Sequence, residues 1–231
     1  MGLENKPSSG EDSIPMTIIK KSIPFLAEPL SYIFNTSFAT STFPKLFKTS
    51  IIIPIHKKGA KTDVNNFRPI SLLNNFSKVL EKIVALRLSL FLEHLQLFNN
   101  QQFGFRSSRS TSDAVSCFLK ELDSHLSNKN VAIGIFCDLT RAFDCVDHNI
   151  LLAKLPFYGV RGTSVSWFKS YLEDRTQSVK IPSSTDTDAL NRKPAALSSH
   201  SSCHYTSSIP LGGLVDCIIL SYYKCHQRPF D

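Results

Sequence analysis

Residues 136–148 read Phe136-Cys137-Asp138-Leu139-Thr140-Arg141-Ala142-Phe143-Asp144-Cys145-Val146-Asp147-His148. Just before them, residues 131–136 alternate branched and small apolar side chains after a polar run, which is typical of a short, mostly buried strand. Asp138 would then lie at the rim of a sheet. A carboxylate there can bind a divalent metal, because the strand holds its direction and the open end leaves room for phosphates. The stretch therefore predicts a catalytic strand end.

The side chains that follow Asp138 add a substrate preference. Phe143 offers a rigid ring beside the same site, and a ring packed where a sugar's 2′-carbon must lie would exclude a 2′-hydroxyl. That arrangement would select deoxyribonucleotides. We expect Asp144 and Asp147 to cap a helix or to form structural hydrogen bonds. His148 is expected to begin a helix rather than to act as a base. Capping of the next helix is also the alternative for Asp138 itself.

The pattern Phe-x-Asp-Leu-x-x-Ala-Phe-Asp-x-Val-Asp-His resembles the first catalytic motif of reverse transcriptases, especially those of LINE-type (non-LTR) retrotransposons. Further blocks resemble that family in the same order, and they are residues 43–48, 53–59, 66–73, 78–82, 102–106, 150–155, 159–160 and 170–175. The resemblance covers residues 14–181. It implies an α+β, right-hand polymerase fold made of the fingers and part of the palm.

The resemblance also implies a metal site. Asp138 and the backbone carbonyl of Leu139 would bind Mg²⁺, and two adjacent aspartates of a Tyr-x-Asp-Asp hairpin would complete the site. The sequence contains no Asp-Asp pair. We therefore expect a fold truncated before the second catalytic carboxylate motif, and a chain that is inactive as a polymerase. The expected partners are an RNA template, a DNA primer and deoxynucleoside triphosphates.

Cationic residues are the expected phosphate ligands. The resemblance assigns triphosphate binding to Arg68 and to Lys57 or Lys58, and a guanidinium can bind phosphate through two hydrogen bonds. A solvated turn is the alternative for the two lysines. In the block 102–106, Arg106 is expected to contact the template backbone, with Phe103 or Phe105 against a base or sugar. Core packing is the alternative for these two aromatic residues.

Bulk properties agree with a nucleic-acid partner. The formal net charge is +7, and residues 1–182 hold 22 basic and 15 acidic residues against 4 and 4 in residues 183–231. The six cysteines are unevenly spaced, which favours a reduced, intracellular protein, and the C-terminal Cys and His residues fit no zinc spacing. No apolar stretch reaches the roughly 18 residues of a membrane span, so we expect a soluble protein with no membrane partner. The oligomeric state is not predicted.

Hydrophobic periodicity predicts the elements. Residues 16–38 form a helical stripe interrupted at Pro24 and Pro29, and Pro54 makes the first strand an edge strand or a bulged one. Trp167 and Tyr171, four residues apart, are expected to pack in the core. Ser110 and Asp113 have the spacing of a capping box, which predicts the start of the helix near residue 110. The remaining predictions are strands over 49–56, 67–72 and 176–181, a helix that begins near residue 75, helices over 148–157 and 163–174, and a loop over 98–109.

The chain divides into three parts by composition. Residues 1–13 are expected to be a disordered N-terminus, residues 14–181 the fingers and palm domain, and residues 182–231 a linker with a degenerate C-terminal segment. Three other functions remain open. The chain could be a non-catalytic nucleic-acid-binding remnant, an RNA-synthesising polymerase fragment, or a pseudogene product without function.

Overall fold

A computed structural model describes residues 9–137 and 146–179, which form a mixed α+β fold, as predicted. The helices are α1 (Met16–Ala39), α2 (Asn75–His94), α3 (Thr111–Ser127), α4 (His148–Lys154) and α5 (Thr163–Leu172). The strands are β1 (Thr49–His56), β2 (Phe67–Leu73) and β3 (Thr176–Val179). Three short 3₁₀ turns cover Lys45–Phe47, Val64–Asn66 and Leu155–Tyr158. None of the helices in the described ranges is long and apolar enough to cross a bilayer.

The three strands form one sheet in the order β2-β1-β3. β1 pairs antiparallel with β2 and parallel with β3, so it is the central strand and the edge position predicted from Pro54 is wrong. The sheet accommodates Pro54 because β3 pairs with β1 only as far as Ile52. Pro54 lies opposite Pro69. Hydrogen-bonded and non-hydrogen-bonded pairs alternate along an antiparallel ladder, and the bond from Lys57 N to Asn66 O makes that pair hydrogen bonded. The Pro54–Pro69 pair, three steps along the ladder, is therefore non-hydrogen-bonded. Neither proline therefore removes a hydrogen bond between β1 and β2.

α1 is continuous through both of its prolines, although the sequence predicted an interruption there. A proline inside a helix removes one backbone hydrogen bond and clashes with the preceding turn, at a cost of about 3 kcal/mol. Both prolines are exposed, and the helix is buried on either side of them, at Met16 and Ile19 before and at Phe34 and Ser37 after. Packing at both ends therefore holds α1 as one helix.

The core lies between α1, α2 and α5. Trp167 and Tyr171 are stacked with their ring centroids 5.8 Å apart, and both are buried, which confirms their predicted core position. Phe43 meets both rings edge-on at 5.5 and 4.9 Å. Such edge-to-face contacts are the favoured geometry of aromatic pairs. The cluster ties the segment before β1 to α5.

Side-chain caps begin three of the helices. Ser110 and Asp113 form the predicted capping box of α3, with the Ser110 hydroxyl accepting from Asp113 N and the Asp113 carboxylate accepting from Ser110 N. Asp147 caps α4 by accepting from Asn149 N and Ile150 N, which confirms its structural role. Asn74 caps α2 through Phe76 N. Local sequence therefore sets these three helix starts.

The buried strand predicted over residues 131–136 is wrong. Residues 131–137 form no strand, and Val131, Ile133, Ile135 and Phe136 are all more than 80% exposed. A strand needs a neighbour for its backbone hydrogen bonds, and this segment pairs with none of β1, β2 and β3. Its Phe136 ring contacts only the Phe118 ring of α3 among the described aromatic side chains, at 5.7 Å. α3 likewise has no buried residue.

The described chain begins inside the range expected to be disordered. Residues 9–13 contain a turn in which Ser13 N donates to Gly10 O at 3.1 Å. A Cβ on Gly10 would lie 2.5 Å from Asn74 N, so the backbone here lies directly against the start of α2. Asn75 Nδ2 also donates to Ile14 O at 2.7 Å. These contacts join the segment before α1 to α2.

Candidate nucleic-acid interface

The catalytic stretch lies outside the described residues. The predicted metal ligands and the predicted sugar-selecting residue all fall between residues 137 and 146; they are Asp138, Leu139 and Phe143. Within residues 9–137 and 146–179, no three His, Cys, Asp or Glu side chains come together to form a metal site. The geometry of the candidate interface comes from the β1–β2 hairpin and the loop before α3.

The β1–β2 hairpin carries Lys57, Lys58 and Arg68 at its tip. Its end is closed by the bond from Lys57 N to Asn66 O, at 2.8 Å. Inside the loop, Asn66 Nδ2 donates to Ala60 O at 2.9 Å, and the His56 ring is hydrogen bonded to Gly59 O at 3.0 Å. A short loop with this many internal hydrogen bonds has a defined shape. The lysines are therefore presented by a structured turn, not by an irregular connection.

Arg68 lies in the sheet directly opposite Ile55. Paired residues of an antiparallel sheet share a face, so Arg68 and Ile55 lie on the same face as the next pair but one, Ile53 and Ile70. Arg68, Ile55 and Ile70 are exposed. This face thus joins one guanidinium to an open apolar surface.

Charge at the hairpin tip has one predominant sign. Residues 56–68 contain four cations, Lys57, Lys58, Lys61 and Arg68, and a single carboxylate, Asp63. Asp63 accepts hydrogen bonds from Asn65 N and Nδ2, which uses its carboxylate in the turn. No ion pair joins the four cations to any described residue. The tip can therefore bind phosphate groups without first breaking an ion pair with the described part of the chain.

Arg106, the predicted template contact, is held inside the protein. Its Nε and Nη2 donate to the two carboxylate oxygens of Glu93 at 2.9 and 2.8 Å, and its Nη1 donates to Asn99 O at 2.9 Å. The guanidinium also lies over the Phe98 ring, and the side chain is 11% exposed. A direct contact of Arg106 with template stays a prediction. In the structure its bonds fix the loop to the end of α2.

Phe103 and Phe105 lie in the same loop in different surroundings. Phe103 is partly buried beneath the Arg109 guanidinium, which is 5.5 Å from the ring centroid. Phe105 is 53% exposed and has a φ of 59°, which is uncommon for a bulky side chain. No sequence motif indicated Arg109 as part of the candidate interface. The only feature that pointed to it was its position as a second arginine three residues after Arg106. Lys61 was missed in the same way beside Lys57 and Lys58.

A buried ion pair joins Arg175 and Glu81. Arg175 Nη2 is 3.9 Å from Glu81 Oε1, and the two side chains are 4% and 7% exposed. Ser77 Oγ donates to the same Glu81 oxygen at 3.1 Å, and Arg175 lies over the Tyr171 ring. Burial raises the pKa of the Glu81 carboxyl, against the opposing effect of Arg175. The pair joins α2 to the segment that leads into β3.

Comparison with known proteins assigns the family. Residues 55–195 match the family described as reverse transcriptase (RNA-dependent DNA polymerase), and the chain belongs to that family. It is 35% identical over 162 residues to the probable RNA-directed DNA polymerase from transposon BS of Drosophila melanogaster, a match that covers 67% of this chain and 17% of that protein. It is 34% identical over 179 residues to the RNA-directed DNA polymerase from mobile element jockey of the same species, which covers 76% and 19%.

A more distant relative is the retrovirus-related Pol polyprotein from type-1 retrotransposable element R1 of Bradysia coprophila. The two are 28% identical over 152 residues, which covers 65% of this chain and 15% of the relative. The resemblance to reverse transcriptases of non-LTR retrotransposons is confirmed by these matches. In each of the three comparisons the matched segment spans less than a fifth of the relative.

Proposed function

We propose that this chain is the fingers and first palm segment of a right-hand RNA-directed DNA polymerase. Residues 14–181 would form this domain, and residues 182–231 a linker and degenerate segment. The observation that carries the proposal is the cationic tip of the β1–β2 hairpin, which lies in the part of the chain that matches the family. Four cations beside one carboxylate that is already hydrogen bonded favour a polyanionic ligand.

The proposal gives the two surfaces different ligands. Arg68, Lys57 and Lys58 would bind the triphosphate of an incoming nucleotide, with Phe143 against its sugar. The loop that carries Phe103 and Phe105 would contact an RNA template paired with a DNA primer. Since the Arg106 guanidinium is engaged by Glu93, its part in template binding would be to orient this loop. Stacking of a base on Phe105 requires an exposed ring, which this side chain has.

Catalysis needs more carboxylates than the chain offers. The family is generally dependent on Mg²⁺, and Asp138 with the Leu139 carbonyl would supply one side of that site. The 231 residues contain no Asp-Asp pair for the other side. Because metal clamping and positioning supply most of the rate in phosphoryl transfer, we propose that the chain on its own binds nucleic acid without extending a primer. This makes a non-catalytic binding module the second candidate function.

Binding is tested with an RNA–DNA hybrid titrated at several salt concentrations. The logarithm of the affinity should fall linearly with the logarithm of the salt concentration, because each neutralised phosphate releases counterions. The double variant Lys57→Gln/Lys58→Gln should lower that slope by roughly 1 to 2, at about 0.7 to 0.9 per lost phosphate contact. Lys169→Gln is the control away from the hairpin, since it removes one solvent-exposed charge, which is paired with Glu173, from α5. Equal slopes for the two variants would contradict the proposed interface.

Catalysis is tested separately by primer extension on an RNA template with Mg²⁺ or Mn²⁺. We expect binding of the hybrid without incorporation of nucleotides. Template-dependent incorporation that is lost in Asp138→Asn would show that the chain has a complete active site, and would refute the second candidate. Absence of both binding and extension would refute the proposed function as a whole.

A further inference from the structure

A cavity of about 410 Å³ lies between α1, α2 and α5. Its interior is formed by buried apolar side chains, namely Val84, Leu88, Val160, Trp167 and Phe168. The volume falls within the range of roughly 300–1,000 Å³ that is usual for small-molecule sites. None of the hairpin and loop residues of the candidate nucleic-acid interface lines it.

The outer part of the cavity is cationic and polar. Its exposed lining side chains are Arg87, Arg161, Thr163 and Ser164, and no acidic residue is among the described residues that line it. The Arg87 guanidinium lies over the Phe38 ring, 5.6 Å from its centroid. A guanidinium that contacts a ring still has N–H groups that can donate to an anion. The site therefore combines an apolar interior with a positively charged rim.

Trp167 contributes an apolar ring surface to the cavity, because its N–H group is already hydrogen bonded within the protein. Trp167 Nε1 donates to Ser37 Oγ at 2.9 Å, and that hydroxyl donates in turn to Thr42 O at 2.7 Å. The indole N–H is thus satisfied within the protein. A ligand body that packs against Trp167 and Phe168 has no polar partner to find there, so an apolar group is favoured.

We propose that this cavity binds a small amphipathic anion, with a flat apolar body against Trp167 and Phe168 and a carboxylate or phosphate at Arg87 and Arg161. The inference goes beyond the proposed polymerase function and uses none of its residues. Charge selects the ligand class. No carboxylate is among the described residues that line the cavity, so its two guanidinium groups favour an anionic head, because a charged acceptor forms stronger hydrogen bonds with them than a neutral one.

Trp167 is the only tryptophan of the chain, so its fluorescence reports directly on the cavity. The full chain is titrated with 3-phenylpropionate, with phenyl phosphate and with the neutral analogue 3-phenylpropanol. We expect at least one anion to change the fluorescence saturably and to bind about tenfold or more tightly than the alcohol, the gain expected from a charged hydrogen bond. The two anions together identify the preferred head group.

Two variants test the assignment. Arg87→Gln/Arg161→Gln should reduce the affinity for the anion about tenfold and leave the alcohol unchanged, whereas Lys169→Gln on the outer part of α5 should change neither. Ser164→Phe, at an exposed lining position, should block all three compounds. Circular dichroism checks that each variant is folded. Equal affinities for anion and alcohol, no saturable change, or an unaltered affinity in the double arginine variant would overturn the proposal.

Discussion

Arg106 and Glu93 form a two-pronged ion pair between the loop before α3 and the end of α2, with both nitrogen–oxygen distances below 3 Å. The planar guanidinium matches the two oxygens of a carboxylate, which makes such pairs stronger than single hydrogen bonds. The pair keeps the loop that carries Phe103 and Phe105 against α2. Its geometry gives Arg106 a structural role that the sequence pattern did not indicate.

Arg106→Ala should lower the free energy of unfolding by about 2 kcal/mol, because it leaves Glu93 and Asn99 O without their donor. Arg106→Lys should recover only part of the loss, since an ammonium cannot form the two parallel bonds. Urea denaturation measures both. The control is Arg109→Ala, which removes an exposed guanidinium of the same loop and its contact with the Phe103 ring, and should cost only about 0.5 to 1 kcal/mol. A larger loss at Arg109 than at Arg106 would contradict this prediction.

Gly59 is required by the shape of the hairpin tip. Its φ is +87°, and a Cβ would lie 2.6 Å from the Asn66 side chain that bonds Ala60 O. Gly59→Ala should therefore destabilise the turn by about 1 to 3 kcal/mol, and should weaken hybrid binding although no charge changes. The matched control for stability is Gly104→Ala, where a Cβ meets nothing within 4 Å. Thermal unfolding compares these two variants, and hybrid titration compares Gly59→Ala with Lys169→Gln. Unchanged binding by Gly59→Ala would argue against a shaped phosphate site.

The buried pair of Glu81 and Arg175 should show strong energetic coupling. Either single substitution, Glu81→Leu or Arg175→Met, leaves the other side chain buried without its partner. Each should lower the free energy of unfolding by about 3 to 5 kcal/mol. The double variant should cost far less than the sum, because an apolar pair fills the same space without desolvated charge. A double-mutant cycle by denaturant unfolding measures the coupling. Strict additivity would mean that the two groups do not interact.

His148 should make stability fall on acidification. Burial lowers the pKa of its imidazole, and Arg175 lowers it further, against the opposing effect of Asp147. The unfolded chain then binds a proton more readily than the folded protein below about pH 6.5, the ordinary pKa of histidine. The stability contribution is complete above that pH and is lost as the pH falls towards the folded pKa.

His148→Gln should flatten this part of the pH profile. Chemical denaturation between pH 5 and 8 gives the free energy of unfolding of the wild-type protein and of the variant. The raised pKa of Glu81 is expected to cause the opposite trend with pH, but both proteins contain Glu81, so its effect cancels in the difference. A difference between the two proteins that does not change with pH would show that His148 has the same pKa in both states.

Features that depend on neighbouring residues were predicted well. Ser110 and Asp113 are three residues apart, so the capping box follows from sequence spacing, and Asp147 caps α4 for the same reason. The hairpin strands follow from their β-branched runs and the polar loop between them. The family also follows from local motifs, since residues 55–195 contain most of the blocks that resemble reverse transcriptases.

Features that depend on distant partners were decided by tertiary structure. The alternating residues 131–136 have the pattern of a buried strand, yet no described strand pairs with them, so they stay exposed. α1 remains whole because residues on both sides of its prolines pack into the core. Arg106 pairs with a glutamate 13 residues away, and Arg175, which precedes β3, pairs with Glu81 in α2. A sequence carries the propensity of each segment, whereas the free energy of burial and pairing exists only once the partner is in place.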